Sequence, residues 1–160
     1  MTDNSQKKLR RYARISEQLS DLLPETDDRL ARMASVIAIL HHKMDGFLWT
    51  GYYFLRGDKL VVGPYQGPVA CQELAQGKGV CWAAVMRNRT IIVDDVHSFP
   101  GHIACDSRSK SEIVVPVRDD KGELFAVLDV DSARYSNFDD IDAAWLEKIV
   151  KMISIRMKYS

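Results

Sequence analysis

All the thiols of this chain fall in one stretch. Cys71, Cys81 and Cys105 lie within GPYQGPVACQELAQGKGVCWAAVMRNRTIIVDDVHSFPGHIACDSRSKSE, which runs from Gly63 to Glu112. Thiols at such positions are either inert core groups or nucleophiles, and the thiolate is the reactive form. Cys105 stands between Gly101-His102 and Arg108-Ser109-Lys110, where cationic neighbours would favour the thiolate. Cys71 follows Gly67-Pro68 in a second loop, beside Gln72-Glu73. Cys81 is set in the apolar run VCWAAVM and reads first as a core residue, since free cysteine is among the most buried residue types. A zinc site from Cys81, His97, His102 and Cys105 is conceivable, but it matches no standard ligand spacing.

The second group with chemical capacity is acidic. In ELFAVLDVDS, strand alternation puts Leu124, Ala126, Leu128 and Val130 on one face and Phe125, Val127, Asp129 and Asp131 on the other. Asp129 and Asp131 would then lie about 7 Å apart on one face. Glu112 and Val114 alternate against Ile113, Val115 and Val117 in the preceding strand, so three acids can converge at one mouth. Buried together they need a partner or a ligand. The plainer alternative is that Asp131 ends the strand and Asp129 faces solvent. Trp49 and Tyr53 share a face of FLWTGYYF, as core aromatics or as a binding wall. Carboxylates suit an ammonium group, and an aromatic wall suits a methyl or thioether.

These groups need elements to position them. Tyr12, Ile15, Leu19 and Leu22 are at helical spacing over about 8–22, and Leu23-Pro24 ends that helix. Thr26 or Asp27 can cap a second helix whose face carries Leu30, Met33, Ile37 and Leu40. FLWTGYYFLRGDKLVVGPY reads as a hairpin turning at Gly57-Asp58, with Phe47, Trp49, Gly51, Tyr53 and Leu55 on one face of its first arm. GKGVCWAAVMRNR reads as a helix, TIIVDDV as a short strand, and His97 to Ser111 as loop. EIVVPVRDDKGELFAVLDVDS is a second hairpin. Asn137 or Ser136 caps a last helix with Ile141, Trp145 and Ile149 as its buried stripe. The order α-α-β-β-α-β-β-β-α predicts an α+β fold: an antiparallel sheet, terminal helices on one face, and middle loops over a cavity on the other.

Composition narrows the class. The 160 residues fit one domain spanning 1–160, with 46% hydrophobic and 28% charged residues. Lys+Arg and Asp+Glu are both 22, so no basic excess points to nucleic acid or to an anionic membrane surface. No apolar run reaches the length of a membrane span, and MTDNSQKKLRRYARI lacks the apolar segment of a secretory signal. An odd thiol count argues against a secreted disulfide framework, so a cytoplasmic location is expected.

The segments GPYQGPVACQ-x-L-x-x-GKGVCW, DV-x-x-FPGHIACD-x-x-S-x-SEIVVP and LDVDS, in that order, resemble the free methionine-(R)-sulfoxide reductase family, enzymes of the GAF fold. The resemblance covers nearly the whole chain. It implies that Cys105 is the catalytic cysteine, that Cys71 is the main resolving cysteine, and that Cys81 is an auxiliary one rather than mere core. It also implies that Glu112, Asp129 and Asp131 hold the substrate and its sulfoxide oxygen, while Trp49 and Tyr53 wall its methyl end. Glu112, with Asp129 as the alternative, is the expected proton donor. No metal or organic cofactor is implied, only an external thioredoxin-type reductant drawing on NADPH. A homodimer through the terminal helices is compatible with this. The alternatives are a non-catalytic GAF sensor of a small molecule, and a thiol switch without turnover. The missing glycine-rich phosphate cradle disfavours a nucleotide sensor, and a bare switch has no use for Asp129 and Asp131.

Overall fold

Helix-capping chemistry sets the ends of the chain's long helices. The computed structural model describes residues 1–102 and 105–154. The Thr2 hydroxyl accepts from the Ser5 amide and starts α1 (Asp3–Leu22), which a 3₁₀ turn (Leu23–Glu25) ends at Pro24. The cap of α2 (Arg29–Lys43) is Asp28, not Thr26 or Asp27. At the other end Asp139, not Ser136 or Asn137, caps α4 (Asp140–Ile153) through a reciprocal box with Asp142. Between them run β1 (Trp49–Arg56), β2 (Lys59–Gln66), β3 (Glu73–Ala75), α3 (Gly79–Arg87), β4 (Ile91–Val93), a 3₁₀ turn (Val96–Ser98), β5 (Ser111–Arg118) and β6 (Leu124–Ser132). The short edge strand β3 was not expected: three residues carry too little alternation to read.

Six strands pair antiparallel in the order β3-β2-β1-β6-β5-β4. One face carries Tyr52, Ile113, Val115, Val117, Ala126, Leu128 and Val130. Against it pack Tyr12, Ile15 and Leu19 of α1, Met33, Ile37 and Leu40 of α2, and Leu146, Ile149 and Ile153 of α4. Leu30 stays exposed, and the buried stripe of α4 runs through Leu146 rather than through Ile141 and Trp145, which are half-buried. The opposite face carries Trp49, Tyr53, Leu60, Val114 and Val127, covered by Val80, Cys81, Trp82 and Ala84 of α3. This face therefore has a helix as well as loops over it. Two residues change sides from the simple alternation. Phe47 precedes β1 and packs on Phe138 in the helix-side core. Phe125 lies at an irregularity in the β5–β6 register and packs with Phe54 on that same side.

A buried polar knot ties α1 to α4. Lys8 Nζ lies 2.6 Å from Asp142 Oδ2, and the Tyr12 hydroxyl donates to Asp142 Oδ1 at 2.6 Å. Asp142→Ala removes the acceptor of both and half of the capping box. Urea denaturation should show a loss of about 3 kcal/mol, because the buried phenol loses its acceptor and the Lys8 ammonium keeps only Asp139 and the Asn137 carbonyl.

Candidate active site

The strand register gathers the acids. Directly opposed residues share a face in an antiparallel pair. Trp49 opposes Asp131, Asp131 opposes Glu112, and Glu112 opposes Val93. In the next row Gly51 opposes Asp129, and Asp129 opposes Val114. Aromatic and acidic side chains therefore alternate with apolar ones across a single patch, on the side away from the terminal helices.

That patch is the floor of a cavity. Its walls are Pro68, Val69 and Ala70 from one loop, Lys78 to Cys81 at the start of α3, and His102, Cys105, Asp106 and Ser109 from another loop. Trp49, Tyr53, Glu112, Asp129 and Asp131 all line it. Ile103 and Ala104, within the FPGHIACD segment, lie outside the described residues.

Two thiols meet at its edge. Cys71 and Cys105, 34 residues apart in sequence, form a disulfide with their Cα atoms 5.5 Å apart. Cys105 is exposed and Cys71 half-buried. The Tyr53 hydroxyl donates to the Cys71 carbonyl at 3.1 Å, so an aromatic of the floor also moors the Cys71 loop. Cys81 remains a free, buried thiol. Burial, then the charges of Asp129, Glu112 and Asp131, push it well above the usual thiol range.

The acids are mutually perturbed. Burial first, and the charges of Asp129 and Asp131 second, hold Glu112 well above the carboxylate range, where its carboxyl hydrogen-bonds Asp129. Burial also raises Asp131, with Asp129 adding to the rise and the Ser109 hydroxyl, donating at 2.8 Å, opposing it. Asp129 is raised by burial, while bonds from Glu112 and Cys81 stabilise its charge. A shared proton among clustered carboxyls follows, since like charges at this spacing disfavour one another. Among the described residues no ion pair reaches any of the three. Asp129 Oδ1 and Trp49 Nε1 are buried without a hydrogen-bond partner. A pocket with a neutral proton donor, carboxylate acceptors, an aromatic wall and a thiol at the rim can protonate an oxygen while a sulfur attacks beside it.

A GAF domain model matches residues 19–157. Free methionine-R-sulfoxide reductase of Escherichia coli K12 is 39% identical over 142 residues, covering 89% of this chain and 86% of the relative. The X-ray structure of free methionine-R-sulfoxide reductase from Neisseria meningitidis with its substrate is 35% identical, with a TM-score of 0.81, over 96% of this chain and 89% of that one. The chain belongs to the free methionine-(R)-sulfoxide reductase family. The reduced form of the Staphylococcus aureus member, 43% identical with a TM-score of 0.84, covers 89% of this chain and 92% of its own.

In this family member Trp49, Tyr53, Cys81, Cys105, Glu112, Asp129 and Asp131 line one cavity, with Cys71 bonded to Cys105 at its edge, but not every neighbour behaves as its sequence position suggests. Arg108 is bonded to Asp106. Its guanidinium grips Asp106 through Nε at 3.0 Å and Nη2 at 2.8 Å, and holds that carboxyl down at about 2. Lys110 lies 5.1 Å over the Tyr135 ring instead. The zinc set of Cys81, His97, His102 and Cys105 does not assemble: Cys105 is in the disulfide, and His97 is exposed against Asp95 at 3.1 Å. Among the described residues, the set whose donor atoms cluster is the acid-bearing one of Cys81, Glu112 and Asp129. Lys78 and Ser109 reach the cavity without having been picked out as site residues, and His102, weighed only as a zinc ligand, lines it too. The alternating serines of SRSKSE were the available signal for Ser109, which faces Asp131.

Gly51 shapes the floor by having no side chain. A Cβ there would collide with Tyr65 Cβ and come within 2.7 Å of the Trp49 ring. Trp49 is stacked between Tyr53 and Tyr65, with centroids 5.7 and 5.3 Å away. Gly51→Ala should displace that stack and cost about 1–3 kcal/mol in a denaturant titration.

Proposed function

We propose that this protein reduces free L-methionine-(R)-S-oxide to methionine by thiol chemistry, with Cys105 as nucleophile and Cys71 as resolving thiol. The observation that carries the reading is the Cys71–Cys105 disulfide at the rim of a cavity floored by Glu112, Asp129 and Asp131. The names of the related proteins support the same substrate.

In the reduced protein the Cys105 thiolate attacks the sulfoxide sulfur. Glu112, kept neutral by burial and by its acidic neighbours, gives its proton to the sulfoxide oxygen as that oxygen gains negative charge. The oxygen passes to Cys105 as a sulfenic acid and methionine leaves with the electron pair. Cys71 attacks the Cys105 sulfur, water departs, and the disulfide closes. Asp129 and Asp131 hold the substrate ammonium, and Trp49 and Tyr53 face its S-methyl end. A free amino acid suits the site, because a peptide-bound residue brings no ammonium for those acids. Cys81 stands behind as an auxiliary thiol able to exchange with a disulfide at the cavity. An external dithiol of the thioredoxin type supplies two electrons by exchange at the accessible Cys71–Cys105 bond. The reaction takes place in the cytoplasm and needs no metal or organic cofactor in the cavity.

The test is NADPH oxidation coupled through thioredoxin and its reductase, with free R epimer, free S epimer and a peptide-bound sulfoxide as substrates. Turnover confined to the free R epimer is the expected result. A fully reduced protein that turns over none of them would remove the enzyme reading in favour of a small-molecule sensor.

A further inference from the structure

With Cys71 and Cys105 joined, Cys81 is the thiol left free, and its surroundings are unusual for an idle core thiol. Its sulfur and one carboxylate oxygen each from Glu112 and Asp129 lie within 4.8 Å of one another, all three residues buried. They come from three elements. Cys81 sits in the first turn of α3, while Glu112 and Asp129 stand diagonally across β5 and β6. Asp129, 5% exposed, lines the cavity, and its buried Oδ1 has no hydrogen-bond partner. Among the described residues no cation neutralises the cluster.

We propose that Cys81, Glu112 and Asp129 form a three-ligand site for a soft divalent cation of the Zn²⁺ class, and that its occupation shuts the cavity to substrate. One thiolate with two carboxylates is a borderline-soft donor set, which favours Zn²⁺ or Cd²⁺ over Mg²⁺ or Ca²⁺. Ligand edges around four-coordinate Zn²⁺ are about 3.6 Å, a separation compatible with donors that all lie within 4.8 Å of one another. Binding releases the Cys81 thiol proton and the proton held between Glu112 and Asp129. The cation needs a further ligand, which solvent supplies in the disulfide form. In the reduced form the Cys105 thiolate, on the same cavity wall, can supply it, so metal affinity rises with reduction. The exclusion of substrate rests on the reading of this cavity as the methionine sulfoxide pocket, since both occupants need the Glu112 and Asp129 oxygens.

The oxidised wild-type protein gives a clean test, because Cys81 is then its one free thiol. Cd²⁺ titrated into it should raise a thiolate-to-metal charge-transfer band. Cys81→Ser should remove the band, and Glu112→Gln should weaken binding by about tenfold or more. Free methionine sulfoxide, which the oxidised protein cannot reduce, should displace the metal. No band in the folded wild-type protein, a band that survives Cys81→Ser, or a band indifferent to methionine sulfoxide would each overturn the proposal. These results do not depend on turnover. Failure of the coupled assay with the Cd²⁺ band present would instead count against the reductase reading alone.

Discussion

Cys105→Ser should abolish sulfoxide reduction, lowering kcat by at least about 10³-fold. No other thiol is placed to take over. Cys81 is buried, and its thiol is pushed well above the usual range by burial and by three neighbouring acids. Cys71 lies half-buried on the opposite loop, where its carbonyl is held by Tyr53. A hydroxyl at position 105 is a far weaker nucleophile than a thiolate, and its oxygen cannot take up the sulfoxide oxygen as a sulfenic acid. Cys71→Ser provides the contrast. It should still release about one equivalent of methionine per chain in a single turnover and then stall with Cys105 as sulfenic acid, detectable by a sulfenate-selective label. If Cys105→Ser turned over at a rate near that of the wild type, the assignment of the nucleophile would be wrong.

Glu112→Gln should cost about 10²- to 10⁴-fold in kcat, the range for loss of a positioned general acid, while leaving the shape of the site intact. The same substitution should make the substrate-free protein more stable at neutral pH. The folded-state pKa of Glu112 is raised, with burial as the main cause and the charges of Asp129 and Asp131 next. Between the ordinary carboxylate range and that raised value, the folded state binds a proton that the unfolded state has released. Stability is therefore full below the unfolded pKa and falls as pH climbs toward the folded one. The neutral amide escapes this loss. Urea midpoints should show wild type and Glu112→Gln close together near pH 4 and diverging toward pH 8, by on the order of 1–2 kcal/mol in favour of the variant. A variant that is less stable at every pH would indicate that Glu112 contributes packing or hydrogen bonding rather than a retained proton.

Much of this was readable in the chain. The period-two pattern of LDVDS put Asp129 and Asp131 on one face, and the register with β1 and β5 set them beside Trp49 and Glu112. The long terminal helices announced themselves by spacing, because an apolar stripe on 15 to 20 residues is a strong signal. Four things were not readable. The edge strand β3 has too few residues to show a pattern. The partners of Arg108 and Lys110 could not be inferred from their proximity to Cys105 in sequence, since short-range loop geometry turned them to Asp106 and Tyr135. The Cys71–Cys105 pairing follows from where two irregular loops meet, which no periodicity encodes; only the resemblance to known reductases anticipated it. The acid sharing between Glu112 and Asp129 likewise needs the cross-strand diagonal, not the order of residues along either strand.

The most direct test is a single turnover without any external reductant. Fully reduced protein is mixed with excess free L-methionine-(R)-S-oxide, methionine is quantified, and the thiols are then mapped by differential alkylation and peptide mass. The expected result is one methionine per chain, loss of two thiols, and a Cys71–Cys105 disulfide with Cys81 still alkylatable after unfolding. Methionine formed without that disulfide, or the disulfide formed equally well without the sulfoxide, would contradict the account.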